Sequence, residues 1–101
     1  MNMTGTQDRI SITVKSFATL REVMDSQITI DIVAGSTIRT LLVELSLRYN
    51  GLNDLLFSRP GVLKDLVNIL KNGRNIQYLA GLDTPLDNGD LIALFPPAAG
   101  G

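Results

Sequence analysis

The sequence predicts an α+β domain of two layers, in which one main helix packs on one face of a mixed β-sheet. Two N-terminal segments alternate apolar and polar residues, a central segment spaces its leucines as a helix does, and a segment near the C-terminus is apolar throughout. The chain has 101 residues and is 45% hydrophobic, which suits one compact domain with a single core.

The first two strands are predicted from a period of two. Residues 9–17 (RISITVKSF) place Ile10, Ile12 and Val14 on one face, and residues 27–33 (QITIDIV) place three isoleucines on one face. Between them, residues 17–24 (FATLREVM) break the alternation and predict a short helical turn. We expect the two strands to pair.

The main helix is predicted from Ile38 to about Asn50, roughly 13 residues, after an N-cap at Ser36 or Thr37 and before a stop at Gly51. Its apolar face contains Ile38, Leu41, Leu42, Leu45 and Tyr49.

Val43 and Leu47 fall on the opposite face of this helix. Either residues 52–57 (LNDLLF) fold over them, which is the interpretation we prefer, or they form a patch that faces a partner.

The second half of the chain predicts three more strands. Residues 66–70 (LVNIL) and 75–79 (NIQYL) surround an Asn-Gly pair that is typical of a tight hairpin turn. Residues 91–95 (LIALF) are apolar without alternation, which predicts an interior strand with both faces covered.

This order of elements permits the first and last strands to lie side by side in parallel, which is the β-grasp arrangement. Because a single helix covers only one face of the sheet, the last strand is also expected to present some side chains to a partner.

The amino-acid composition excludes several kinds of catalytic and metal site. The chain has no Cys and no His, which removes disulfides, thiolate nucleophiles and the usual zinc sites. A net charge of -1 without a basic block argues against nucleic acid as a partner. Asp83, Asp87 and Asp90 do not match a calcium loop and are interpreted as turn residues. Arg21 and Glu22 are interpreted as charges on a solvated turn.

Residues 1–8 are predicted to be a flexible extension without a signal peptide, and a cytoplasmic location away from membranes is expected.

The C-terminal segment is the most informative part of the sequence. After a core domain of residues 9–95, residues 96–101 (PPAAGG) predict a flexible tail that leaves the sheet at Pro96 and Pro97 and reaches about 20 Å when extended. Its glycine carboxylate is sterically open, so ATP can convert it to an acyl-adenylate that a sulfur or amine nucleophile attacks.

These motifs resemble the MoaD/ThiS family of ubiquitin-like sulfur carriers. Residues 17–22 (FATLRE) look like the FA-x-x-RE segment of the family, and residues 35–37 look like its helix entry. Residues 88–101 (NGDLIALFPPAAGG) look like its ending, and the proline pair is closest to molybdopterin synthase small subunits. Between Val67 and Leu86, the segment KNGRNIQYLAGLDTPL is longer than in compact members of the family, so no site is transferred there.

The resemblance implies that a ubiquitin-activating-type (MoeB-like) enzyme adenylates Gly101 with ATP, and that a sulfur donor converts it to a thiocarboxylate. No bound cofactor or metal is implied. The tail, with Gly100 before the reacting residue, would then enter the molybdopterin synthase large subunit (MoaE-like) and deliver sulfur to the pterin precursor of the molybdenum or tungsten cofactor. The implied partner-binding residues are Phe17, Phe95, Pro96, Pro97, Ala98 and Ala99.

Three other functions remain open. The same activated Gly101 could modify target lysines, a related carrier could serve thiamine synthesis or tRNA thiolation, or the chain could be an interaction module only.

Overall fold

The computed structural model describes residues 8–97, so the predicted extension up to residue 7 and the tail from Ala98 to Gly101 lie outside the described residues. Strand β1 (Arg9–Ser16) leads through a 3₁₀ helix (Ala18–Glu22) to strand β2 (Gln27–Val33) and helix α1 (Ile38–Arg48). A short helix α2 (Leu52–Leu56) precedes a small hairpin of β3 (Phe57–Arg59) and β4 (Val62–Leu63). Strands β5 (Asn68–Lys71), β6 (Arg74–Asn75) and β7 (Leu91–Phe95) complete the main sheet.

The main sheet has the order β2-β1-β7-β5-β6. Strand β1 is antiparallel to β2 and parallel to β7, and β7 is antiparallel to β5. The predicted β-grasp fold, with first and last strands parallel at the centre, is therefore confirmed.

Helix α1 forms because its apolar residues share one face and because Thr37 caps it. The hydroxyl oxygen of Thr37 accepts the backbone N–H of Thr40 at 3.4 Å. The helix ends at Arg48, earlier than predicted, because Tyr49 takes an extended backbone and donates its hydroxyl to Asp25. The core between helix and sheet consists of aliphatic residues from every layer: Ile12, Val14, Leu20, Ile30, Ile32, Ile38, Leu41, Leu42, Leu45, Leu52, Leu56, Ile69, Ile92 and Leu94.

The preferred interpretation of Val43 and Leu47 is wrong. Helix α2 turns Leu52 and Leu56 into the core instead of laying them over α1, and both are fully buried. Val43 and Leu47 consequently stay 54% and 80% exposed.

The returning strand of the predicted hairpin is shorter than expected. The Asn-Gly turn is present, but β6 stops at Asn75, whose side-chain oxygen accepts the backbone N–H of Gln77 at 3.0 Å. This side-chain contact competes with the strand ladder and starts a 3₁₀ helix (Ile76–Tyr78) instead.

Strand β7 is interior, as predicted, but it is not covered on both faces. Ile92 and Leu94 are buried against the helix layer, whereas Leu91, Ala93 and Phe95 are only partly buried. The expectation that both faces are covered is therefore wrong, because one helix supplies a covering layer on one side only.

Candidate functional site

The helix-free side of the sheet carries an apolar surface at its centre, which we call the open face. Strand parity and register place the side chains of Leu70, Leu91, Ala93 and Phe95 there, together with Phe17 at the end of β1. Each is partly exposed. Apolar residues gathered in this way on one surface are typical of a protein-binding site.

Phe17 and Phe95 form the edge of the open face from which the tail leaves. Their ring centroids lie 4.4 Å apart and the ring planes differ by 9°, so the rings are stacked. The backbone N–H of Phe17 donates to the carbonyl of Leu94 at 3.2 Å, which extends the pairing of β1 and β7 to this point. The sequence-predicted pair is thus brought together on one surface.

The chain turns sharply after Phe17. Ala18 has a φ of 53°, a left-handed conformation that side chains other than glycine adopt at a cost of about 1 kcal/mol. The turn starts the 3₁₀ helix and leaves the Phe17 ring on the open face, where it stacks on Phe95.

The tail leaves the sheet after one more buried residue. Pro96 is buried, Pro97 is partly buried, and together they continue the in-and-out alternation of β7. Of the sequence-predicted site residues, Phe17, Phe95, Pro96 and Pro97 are therefore close together, and Ala98, Ala99, Gly100 and Gly101 lie outside the described residues.

The opposite end of β7 is held by a polar cluster around Asp90, which is only 6% exposed. One carboxylate oxygen accepts the side-chain amide of Asn72 at 2.8 Å, and the other accepts the backbone N–H of Asp87 at 2.7 Å and faces Lys71 Nζ at 3.4 Å. Burial disfavours the charged form, but these hydrogen bonds and the Lys71 charge prevail and hold the pKa of Asp90 below its usual value.

The other acidic turn residues form ion pairs. Asp83 lies 3.3 Å from Arg39, and Asp87 lies 3.3 Å from Lys71. Within residues 8–97 no three acidic side chains converge as metal ligands. No helix in this part of the chain is long and apolar enough to cross a membrane.

Two features of the site were missed from the sequence. Arg21, interpreted as part of a solvated turn, packs over the Phe17 ring. Asp90, interpreted as a turn residue, is buried at the start of β7. The available sequence signal for the Arg21 contact was an arginine four residues after an aromatic residue. The burial of Asp90 had no local signal, because its partner Asn72 lies 18 residues away in sequence.

Comparison with known proteins shows which family has this sequence pattern and fold. The model described as the ThiS family matches residues 14–101. Small archaeal modifier protein 3 of Haloferax volcanii is 38% identical over 97 residues, which is 91% of this chain and 100% of that protein. The sulfur carrier protein CysO of Mycobacterium tuberculosis is 33% identical over 70 residues, 67% of this chain and 75% of that protein.

A solved structure shares the fold. The putative molybdopterin converting factor subunit 1 from Pyrococcus furiosus is 27% identical and superposes with a TM-score of 0.71, covering 88% of this chain and 99% of that one. Since the family model spans both the open face and the diglycine end, the chain belongs to the ThiS/MoaD family of ubiquitin-like sulfur carrier domains.

Proposed function

We propose that this chain is a sulfur carrier whose Gly101 carboxylate is activated and converted to a thiocarboxylate. The observation that supports this most is the course of β7, whose outer side chains form the open face and which continues directly into Pro96, Pro97 and the diglycine end. A partner that binds the open face therefore receives the tail at the same time.

The chemistry requires no catalytic side chain from this protein. A Gly101 carboxylate oxygen attacks the α-phosphorus of ATP in the activating enzyme, and pyrophosphate leaves. Sulfide from the donor then attacks the acyl carbon and AMP leaves, which forms the thiocarboxylate without a change of oxidation state. The role of this chain is to bind its partner and to position the Gly101 carboxylate. The four residues after Pro97 span about 13 Å when extended.

The proposed acceptor pathway is that of the molybdenum or tungsten pterin cofactor, with a MoaE-like large subunit as the final partner. The proline pair after Phe95 supports this assignment, as does the similarity to the putative molybdopterin converting factor subunit 1 from Pyrococcus furiosus. Inside that partner, the thiocarboxylate sulfur of Gly101 would bond to a carbon of the pterin precursor in place of an oxygen substituent. Water would then cleave the acyl–sulfur bond and regenerate the Gly101 carboxylate.

The test of this assignment is the molybdopterin content of cells that lack the gene. We expect the content to fall and to be restored by the full-length chain, but not by the same chain without Gly101. Normal molybdopterin in the deletion strain would contradict the assignment to this pathway while leaving the carrier chemistry untouched.

Protein modification is the second candidate function. It is favoured by the modifier protein of Haloferax volcanii, which is 38% identical over 91% of this chain. In this case the amine of a target lysine attacks the Gly101 adenylate, AMP leaves, and an isopeptide bond forms.

Mass spectrometry of the chain purified from cells separates the two functions. Arg74 is the last basic residue, so trypsin leaves residues 75–101 attached to a modified lysine. Such branched peptides support modification, and a thiocarboxylate at Gly101 supports sulfur transfer. If the chain from cells that require it carries no thiocarboxylate and forms no branched peptides, both functions are contradicted.

A further inference from the structure

The guanidinium of Arg21 has a fixed position in front of the open face. Its Cζ lies 5.2 Å from the centroid of the Phe17 ring, within the range of a cation–π contact. Its Nε–H donates to the backbone carbonyl of Ser16 at 2.9 Å. Phe17 stacks in turn on Phe95, so the charge contacts the aromatic pair through the Phe17 ring.

The outer part of this guanidinium has no hydrogen-bond partner among residues 8–97. In this part of the chain, the only side-chain hydrogen bond of Arg21 uses Nε, and no carboxylate lies within salt-bridge distance of it. Both Nη groups, with four of the five N–H donors of an arginine, therefore make no hydrogen bond to these residues and can bind a further acceptor.

Lys15 adds a second positive charge to the open face, and Glu22 is the acidic residue that directly follows Arg21 in the chain. Strand parity places Lys15 on the open face, between Gln27 of β2 and Ala93 of β7 and two residues before Phe17. The acidic residue that parity places on this face is Asp31 of β2, on the edge strand, where Arg9 donates to its backbone carbonyl. Two cations thus border the aromatic pair, although the whole chain has a net charge of -1.

We propose that Arg21 determines partner specificity by binding a carboxylate of the enzyme that activates Gly101, with Lys15 adding a second positive charge. This inference rests on the proposed function and adds the chemistry of the partner: an apolar surface bordered by Asp or Glu opposite Arg21. An arginine whose Nε is already fixed presents its Nη donors in a constant geometry that suits a carboxylate. Complementary charge of this kind sets association rate and partner choice.

The test measures binding of the full chain to the adenylating enzyme encoded in the same genome. Arg21→Gln removes the charge, and Arg21→Lys keeps the charge but loses the forked donor geometry. Arg59→Gln is the matched control, since Arg59 is an exposed arginine on the small hairpin outside the main sheet. Each protein is titrated by calorimetry at 50 mM and at 500 mM NaCl.

We expect Arg21→Gln to weaken binding about tenfold at the lower salt concentration, with a smaller loss for Arg21→Lys and none for the control. The difference between the wild type and Arg21→Gln should shrink at the higher salt concentration, because salt screens exposed charges. Both Arg21 variants lose the Ser16 contact, but Arg21 is exposed, so we expect both to fold as the wild type does, and their urea unfolding curves check this.

Equal affinity of the Arg21 variants and the control would overturn the proposal. If all of these proteins still acquire a thiocarboxylate, the proposed function stands and this inference alone is wrong. If the wild-type chain is neither bound nor adenylated, the proposed function is wrong and the inference falls with it.

Discussion

Asp90 fixes the beginning of the last strand. Its two carboxylate oxygens together accept hydrogen bonds from Asn72 and Asp87, and its backbone carbonyl accepts the N–H of Thr13 in β1 at 3.0 Å. Asn72 also pairs with Leu91 through its backbone N–H and its side-chain oxygen, both at 2.8 Å. Asp90 therefore connects the start of β7 to β1 through its backbone carbonyl and to the turn after β5 through its carboxylate.

The ionisation of Asp90 should make stability depend on pH. Because the pKa of Asp90 is lowered in the folded state, its contribution is present above the pKa of the unfolded chain and is lost as pH falls through the folded value. We expect Asp90→Asn to cost about 1–3 kcal/mol at neutral pH and to flatten the decline of the free energy of unfolding as pH falls below about 5. Urea unfolding across this range measures both effects.

Asp83→Asn is the control for this experiment. Asp83 is exposed and pairs with an exposed Arg39, so its loss should cost less than about 1 kcal/mol. The role assigned to Asp90 is contradicted if Asp90→Asn retains the pH dependence of the wild type.

Helix α1 separates two kinds of leucine within one turn. Leu45 is fully buried, and Leu47 is 80% exposed. We expect Leu45→Ala to lower the free energy of unfolding by about 2–5 kcal/mol and Leu47→Ala by less than about 0.5 kcal/mol. Urea unfolding of both variants checks this, and equal losses would mean that something covers the outer face of α1.

The prediction for strand β7 concerns binding of the activating enzyme. Phe95→Ala should weaken binding of the activating enzyme by about 1–3 kcal/mol and change stability less, because the ring lies on the open face. Phe57→Ala is the matched control, since Phe57 is also partly buried but packs against the core. It should lose stability and keep its affinity for the enzyme, and the reverse pattern would exclude the open face as the docking surface.

The elements with a clear period were predictable from the sequence. Strands β1 and β2 and helix α1 follow from the alternation in residues 9–14 and 28–32 and from the spacing of Ile38, Leu41, Leu42 and Leu45. The placement of α2 was not, because Leu52 and Leu56 can face either the core or the outer side of α1 with the same local pattern. Strand β6 was overestimated because a single side-chain contact of Asn75 ends it.

The candidate site was predictable in its residues but not in its geometry. Phe17 and Phe95 were identified from the family motifs, yet their stacking depends on the parallel register of β1 with β7. The contact of Arg21 with Phe17 depends in addition on the left-handed turn at Ala18, which alanine does not signal in a sequence.

At the scale of the whole molecule, the two sides of the sheet have different tasks. The helix side contains the buried core, and the open face has an apolar centre with Lys15 and Arg21 beside it. Strand β7 belongs to both, since Ile92 and Leu94 anchor it in the core while Phe95 and Pro97 lead towards the tail. In the proposed function, the fold is the support that presents the C-terminal residues to a second protein.

The most direct test of this account is the intact mass of the chain after incubation with its activating enzyme, ATP and a sulfur donor. Conversion of the Gly101 carboxylate to a thiocarboxylate adds about 16 Da, the difference between sulfur and oxygen, and deletion of Gly101 withdraws the carboxylate by about 3.5 Å from the reacting position. We expect the full-length chain to gain this mass and the chain without Gly101, folded as judged by its unfolding curve, to gain none. Equal conversion of both chains, or no conversion of the full-length chain, would contradict the role assigned to Gly101.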